Sequence, residues 1–594
     1  VALISPRLLT THILLTTHIR RLARNEQILL SILAVVVGAL GGGGAIAFRE
    51  AIQGIQFGFF GFSGERFHSQ VAELPWWWIL LVPAAGGLLI GLILRYLTPE
   101  RRALGVADVI EASALNGGRM SLNSGLRGFL ISAITIGSGG SAGREGPVVH
   151  FAAALAAKTA RMLHLDRSLG QTLLGCGVAA GVAASFNAPI AGVFFALEVV
   201  TGNYALRSFA PVVIASVTGT IVSRAYFGDF PAFILPAHEI NSLLEFPAFA
   251  ILGALSALVA MTLVWAIDVV QRTQGRLDFP IWLRPCLAGL CVGAIGIVFP
   301  QVMGVGYEAT DEALNEELAL NMLILLIILK TAATAITLGS GFGGGVFSPS
   351  LFLGAMLGGA FGVVATEVFP HLSSGHGAYT LVGMGAVAGA VLGAPISTIL
   401  IVFEMTGDYE LTIAVMIATV IASQIMVQVF GHSFFGWQLA KRGVNLAGGR
   451  ENRVLRQTKV KSVMKQDYVT LQPTARLDDV REKLKQTTYA EVFVVDEEGI
   501  LVGTVTLLDL ADDAFDRSHD EEFRVVDLCR RDPPTADQED DLEEAMWFME
   551  SCGEEHVAVI DSPESGKLVG VLHERDVLSI YHHSVLETRK QEQI

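Results

Sequence analysis

Two charged residues stand where a membrane segment tolerates few. Arg144 and Glu145 lie within Gly137-Ser138-Gly139-Gly140-Ser141-Ala142-Gly143-Arg144-Glu145-Gly146-Pro147, between the apolar runs 129–136 and 148–157. Backbone without a helix persists at membrane depth only where it is buried in protein or lines a wet cavity. An ionisable residue there is a functional candidate. Pro147 suits the first turn of a new helix, so the amides before it become a helix N-terminus. Free amides and the helix dipole together attract an anion. The same frame returns as Gly339-Ser340-Gly341-Phe342-Gly343-Gly344-Gly345-Val346-Phe347-Ser348-Pro349, at an offset of 339 − 137 = 202. In transporters, paired breaks in two halves of a chain point to a midplane binding site. A carboxylate at Glu145 competes for the place an anion would take and vacates it when protonated. The plainer alternative is a structural carboxylate paired with Arg144.

The elements that position these breaks are membrane helices. The 594 residues are 52% hydrophobic and 16% charged, with a mean hydropathy of +0.52. That is too apolar for a soluble chain and implies a polytopic helical membrane protein. Apolar segments fall near 28–48, 76–97, 122–136, 147–163, 170–183, 188–201, 208–228, 246–271, 281–299, 319–338, 348–368, 378–391, 394–405 and 409–431. Several are shorter than the roughly 20 residues needed to span a bilayer, as expected where helix ends build a site. Residues 1–26 read as a basic cytoplasmic arm, lying on the membrane as an amphipathic helix. The run 28–48 reads as a first membrane helix rather than a signal peptide, with the N-terminus cytoplasmic. The net charge of −16 is carried unevenly, with acidic runs in the tail, so it does not argue against an anion path. The five cysteines show neither metal-ligand spacing nor a disulfide framework and read as free buried thiols. No metal is expected.

A second pair of matches supports duplication. Phe186-Asn187-Ala188-Pro189-Ile190-Ala191-Gly192, running on to Glu198, parallels Leu392-Gly393-Ala394-Pro395-Ile396-Ser397-Thr398, running on to Glu404. The halves fall at roughly 27–230 and 240–442. Residues 443–458 form a linker. A soluble α/β tail follows, itself duplicated as 459–515 and 524–585, each copy being strand, turn, strand and a helix opened by Asp509 or Asp576.

The words Gly143-Arg144-Glu145-Gly146-Pro147 and Gly345-Val346-Phe347-Ser348-Pro349 resemble the GREGP and GxFxP signatures of the CLC chloride channel and transporter family, and the tail resembles a tandem CBS pair. The resemblance implies the CLC fold, an inverted repeat of membrane helices, with a cytoplasmic CBS appendage. It implies a homodimer in contact with membrane lipid, one path per subunit for chloride and other small anions, and no required cofactor. A bacterial inner membrane with both termini cytoplasmic is the expected location. It makes Glu145 the gate. It groups Gly143, Arg144, Gly146, Gly345, Val346 and Phe347 around the anion, with backbone amides at Val346 and Phe347 facing it. Arg144 is then field-shaping more than a direct ligand, and Phe347 is equally a core aromatic.

This chain departs from the family pattern in three places. The family's serine and tyrosine at the central site fall on Leu104 and Phe435, so both hydroxyls are missing and a drier site is expected. Exchangers often carry an inner proton-accepting glutamate where this chain has Val199. Glu198 beside it points to another face of its helix. Uncoupled flow is the reading, with proton–chloride exchange as the alternative. In the tail, Thr506, Asp509 and Asp576 match the positions that contact an adenine nucleotide. Lys330, within the apolar run 322–336, either raises local anion concentration or snorkels to the interface.

Two rival classes are weaker. Gly139-Gly140-Ser141-Ala142-Gly143 fits the frame of a serine nucleophile, which would need a base such as His150. A CBS-regulated cation transporter is disfavoured by helix N-termini at both breaks. No feature points to nucleic acid.

Overall fold

The structure is a computed structural model, and it describes residues 26–64, 66–202, 204–229, 243–276, 279–444, 455, 458–487, 491–507, 509–510 and 523–593. The surface arm expected over 1–26 falls almost wholly outside them. The chain forms two compact units, Val1–Asn445 and Leu446–Ile594.

The first unit is helical. In its first half run α1 (Glu26–Phe60), α2 (Phe67–Ala72), α3 (Trp76–Tyr96), α4 (Val106–Ala114), α5 (Leu122–Gly137), α6 (Glu145–Met162), α7 (Arg167–Phe186), α8 (Pro189–Phe195) and α9 (Leu206–Phe227). In its second half run α10 (Phe246–Arg276), α11 (Arg284–Val298), α12 (Tyr307–Leu314), α13 (Leu320–Gly339), α14 (Phe347–Val368), α15 (His376–Leu392), α16 (Pro395–Thr406), α17 (Tyr409–Ile425) and α18 (Phe434–Ala440). Among the described residues, eight helices are long and apolar enough to cross a membrane, and four more are apolar but shorter. The protein is therefore a multi-span membrane protein.

The duplication is visible in the element ends. Helices α5 and α13 stop at Gly137 and Gly339, and α6 and α14 start at Glu145 and Phe347, both at the offset of 202. Helices α8 and α16 start at Pro189 and Pro395, offset by 206. The proline falls at the third helical residue of α6 and α14, where no intrahelical N–H partner is lost. Small residues let helices touch at the backbone. On α14 and α15, a Cβ added to Gly354 or to Gly383 would collide with the carbonyl of the other.

The tail unit holds two small sheets. In the first, β1 (Thr470–Leu471) runs parallel to β2 (Glu491–Val495), which pairs antiparallel with β3 (Leu501–Thr506), and β3 with β4 (Arg530–Arg531). In the second, β5 (Thr535–Asp537) runs parallel to β6 (His556–Ile560), which pairs antiparallel with β7 (Leu568–His573). Both copies carry an irregularity at the same point, at Val494/Val495 and at Val559/Ile560, so the repeat extends to strand register. Leu455 and Val460 lie in the core of the second copy, with Leu542, Val557 and Leu572.

The cysteines only partly match expectation. All five are free, but Cys291 and Cys552 are exposed while Cys176 and Cys529 are buried. Lys330 does not snorkel, and it lines neither of the two cavities described below. It is fully buried, its Nζ donates to the carbonyls of Val302 and Gly304 at 3.0 and 3.1 Å, and it lies 4.9 Å from the Phe352 ring. Carbonyl dipoles and the aromatic face replace water around its charge.

Candidate functional site

The two glycine breaks meet. Gly143 N–H donates to the Gly345 carbonyl at 2.7 Å, and Gly345 N–H donates to the Gly143 carbonyl at 2.8 Å. These residues are repeat counterparts, so a reciprocal pair between them lies on the pseudo-two-fold axis of the duplication. Glycine suits the approach: a Cβ on Gly143 would sit a tight 3.0 Å from the Gly345 carbonyl oxygen and 3.1 Å from Glu145 Oε2. The bridge brings the N-terminal ends of α6 and α14 together, with the positive ends of both dipoles converging.

The Glu145 side chain folds into that junction and is 1% exposed. The Tyr307 hydroxyl donates to Oε1 at 2.6 Å and the Ser348 hydroxyl to Oε2 at 2.5 Å. Arg144 Nε stands 3.8 Å from Oε1, and its guanidinium lies 4.6 Å from the centre of the Tyr307 ring. A buried carboxylate is tolerable when each oxygen has a donor and positive charge is near.

Two cavities adjoin this carboxylate and its partners. The larger, about 410 Å³, is lined by Leu104, Glu145, Phe195, Val346, Phe347 and Phe435 among others, and at one end by Arg101, Arg102, Lys441 and Arg442. The smaller, about 60 Å³, is lined by Arg49, His68, Arg144, Tyr307 and Glu308. Among the described residues none lines both. Basic residues at both approaches favour anions in the intervening space.

The apolar wall expected at Leu104 and Phe435 is held in place electrostatically. Asp108, near the start of α4, accepts from Gly105 N–H at 2.8 Å, from Arg102 at 2.6 Å and from Arg442 at 3.2 Å. That cluster ties the segment bearing Leu104 to the end of α18, which bears Phe435. Phe347 packs on Phe186 and Phe195, with ring centres 4.7 and 6.2 Å away, so it is a core aromatic as well as a lining residue.

The geometry divides the sequence candidates. Leu104, Glu145, Gly146, Gly345, Val346, Phe347 and Phe435 come together on the larger cavity, while Arg144 lines the smaller one. Gly143 serves the bridge. Val199 and Glu198 line neither. Glu198 instead accepts from the backbone N–H groups of Ile396 and Ser397 at 3.0 and 2.9 Å. Its counterpart Glu404 accepts from Ile190 and Ala191 at 2.9 and 2.8 Å. Each half thus caps the short helix of the other, satisfying amides left open at a helix start. The Ser141 hydroxyl is paired with Thr334 Oγ1 at 3.0 Å.

Tyr307 and Ser348 are the contacts that sequence reading missed. Ser348 sat inside a quoted motif and was passed over for its amide-bearing neighbours. Tyr307 lies 162 positions from its partner, with no repeated motif to flag it.

In the tail, Thr506 donates to Asp509 Oδ2 from both N–H and hydroxyl, at 2.8 Å each, and Asp576 is paired with Lys465 at 2.8 Å. Glu491 and His573 share a small cleft with Tyr468 and Phe493. Burial, with Glu554 and Asp509 adding repulsion, pushes the Glu491 carboxyl from its ordinary 4.5 up to about 7. A carboxylate raised on folding costs stability as pH climbs through that interval, and the cost is complete above it. It amounts to about 3 kcal/mol. Glu491→Gln is therefore expected to raise the melting temperature of the tail unit at pH 8 and to leave it unchanged at pH 4.5. Burial also lowers His573, to about 4, but that opposing effect is common to both proteins and cancels in the comparison.

Comparison with known proteins is consistent across sequence and fold. Residues 86–426 match the family model described as voltage gated chloride channel, and residues 460–515 and 525–583 match the CBS domain. A ClcB-like chloride channel protein of Ralstonia nicotianae is 35% identical over 392 residues, covering 65% of this chain and 91% of its own length. The voltage-gated ClC-type chloride channel ClcB of Escherichia coli O127:H6 is 30% identical over 416 residues, covering 69% and 98%. The crystal structure of a slow cyanobacterial Cl⁻/H⁺ antiporter superposes with a TM-score of 0.62 at 22% identity, covering 71% of this chain and 99% of that one.

Proposed function

Because the chain belongs to the voltage-gated chloride channel (CLC) family and carries two CBS domains, we propose that it conducts chloride through the path between the two cavities, with the Glu145 carboxylate as its gate. The family is one of channels and transporters, and the chain is not an enzyme. What supports the gate is one observation: a buried carboxylate, held at the junction of two helix N-termini, lines the large cavity while its partners Arg144 and Tyr307 line the small one. Ionised, Glu145 fills the anion's place. Protonated, it loses the attraction of the helix ends and of Arg144 and yields.

Inward of Glu145 the anion meets the amides of Val346 and Phe347 and the apolar side chains of Leu104 and Phe435. Val199 offers no inner proton acceptor, and Glu198 is engaged by Ile396 and Ser397. Anion flow is therefore uncoupled from protons. The unit of function is a homodimer with one path per subunit in a bacterial inner membrane, both termini cytoplasmic. Chloride-loaded liposomes holding purified protein should lose chloride once a potassium ionophore clears the charge, and retention equal to empty liposomes would end the proposal.

The tail takes an adenine nucleotide at Thr506, Asp509 and Asp576, with the ribose at Asp509 Oδ1, the oxygen that Thr506 leaves open. ATP or AMP should raise the melting temperature of the tail unit, since a ligand that binds only the folded form stabilises it, and Asp509→Ala should abolish the rise. No shift with either nucleotide would leave the tail structural.

A further inference from the structure

We propose that Lys330 is a positioning residue of the gate: its buried ammonium folds the 302–306 turn and so sets Tyr307, the first residue of α12, against the Glu145 carboxylate. The inference rests on Glu145 being the gate and concerns what holds the partner of that carboxylate in place.

A charge within an apolar helix needs a reason. Lys330 lies midway along α13 and is fully buried. Its Nζ donates to the carbonyls of Val302 at 3.0 Å, Gly304 at 3.1 Å and Val305 at 3.5 Å. Among the described residues no carboxylate pairs with it. Burying an ammonium on neutral acceptors alone is costly, and an apolar side chain of the same length would avoid that cost. What the ammonium supplies is convergence. The carbonyls of Val302, Gly304 and Val305 all point at one cation, which only a tightly turned backbone allows. Two glycines in the left-handed region make the turn, Gly304 at φ +62° and Gly306 at φ +92°. A Cβ on Gly306 would lie 2.7 Å from the Phe352 ring and 3.1 Å from Lys330 Nζ, so the turn is seated directly on the ammonium and the ring beside it.

The turn runs straight into the gate. Gly306 is the N-cap of α12 and Tyr307 its first residue. The Tyr307 hydroxyl donates to Glu145 Oε1 at 2.6 Å and is also bonded to the Ser348 hydroxyl. The backbone of the turn is thus the mount of a ring whose far end holds the carboxylate. Gly304 N–H donates to the Gly139 carbonyl at 3.2 Å, which joins the turn to the first glycine break. Glu308 accepts from the backbone N–H groups of His68 and Ser69 at 2.8 and 3.2 Å, which holds the start of α12 to α2. Lys330 adds a tie to α13, the helix that leads into the second break. Without the ammonium, the three carbonyls have no cation to converge on. The turn then opens, Tyr307 retreats, and the seated carboxylate loses a donor that favours its charged form.

The test follows chloride efflux against pH for the full-length protein in liposomes. Tyr307→Phe removes the donor and should shift the curve toward alkaline pH by about one unit, the size of one hydrogen bond to a charged group. Lys330→Met keeps the length of the stem but not the charge, and should shift the curve in the same direction. Because it acts through the same hydroxyl, Lys330→Met should add little in the Tyr307→Phe background. In Glu145→Gln, where most pH dependence is already lost, it should restore none. Should Lys330→Met fail to fold, Lys330→Gln, which keeps a neutral donor, is read in the same backgrounds. An unmoved curve in Tyr307→Phe or in the Lys330 variant, or an equal shift from the Lys330 variant with and without the Tyr307 hydroxyl, would overturn the inference while leaving the gate intact. A Glu145→Gln variant whose flux kept the wild-type pH profile would overturn the gate itself.

Discussion

Glu145→Gln is expected to leave chloride efflux running while removing most of its dependence on pH. In the wild-type protein, chloride flux should rise on acidification. Glutamine keeps the shape but not the charge, so the helix ends of α6 and α14 no longer hold it against an incoming anion. Arg144 keeps its charge throughout. His68, facing Glu308 at 3.0 Å and Glu312 at 3.1 Å, lies on the smaller cavity and next to α12, which carries Tyr307. A single variant retaining the full wild-type profile would remove Glu145 from the gate.

Phe435→Tyr should strengthen chloride binding by at least about tenfold. Phe435 is 7% exposed, second in α18, and shares the larger cavity with Leu104, Val346 and Phe347. A hydroxyl there adds a donor to a site otherwise supplied by backbone amides. One hydrogen bond to a charged group is worth about 1.5–3 kcal/mol. The helix that carries the residue is capped by Ser433, whose hydroxyl accepts from Gly436 N–H at 3.4 Å. Chloride affinity from calorimetry that stayed at the wild-type value would take Phe435 off the ion's route.

The framework of this path was legible because it is written twice. Proline and glycine at a constant offset of 202 located the starts of α6 and α14, and the apolar segments gave most helices to within a few residues, although α1 runs on to Phe60, well past the end expected at 48. Short helices such as α2 and α12 were missed because they are too brief to show a hydrophobic period. The reciprocal bridge between Gly143 and Gly345 follows from the repeat, yet nothing in a one-dimensional offset says that counterparts touch. Glu198 was weighed as a neighbour of a proton site, whereas its partners are amides of Ile396 and Ser397, almost two hundred residues away. The same holds for Tyr307. A long-range hydrogen bond between unique residues leaves no periodic trace. Lys330 could be placed in a membrane segment but not on a face, because its solvation by carbonyls of the 302–305 segment depends on how a loop folds over α13.

Coupling is the most direct test of the account. Protein in sealed vesicles under an outward chloride gradient, with the voltage clamped by a potassium ionophore, should release chloride without moving protons uphill. The reversal potential should sit near the chloride equilibrium value, and a pH gradient imposed alone should not shift it. Protons then open the gate at Glu145 without crossing. Uphill proton transport in fixed proportion to chloride would contradict the account, since among the described residues the larger cavity is lined by no acidic side chain other than Glu145 and the ion-paired Asp108 that could carry a proton past Val199.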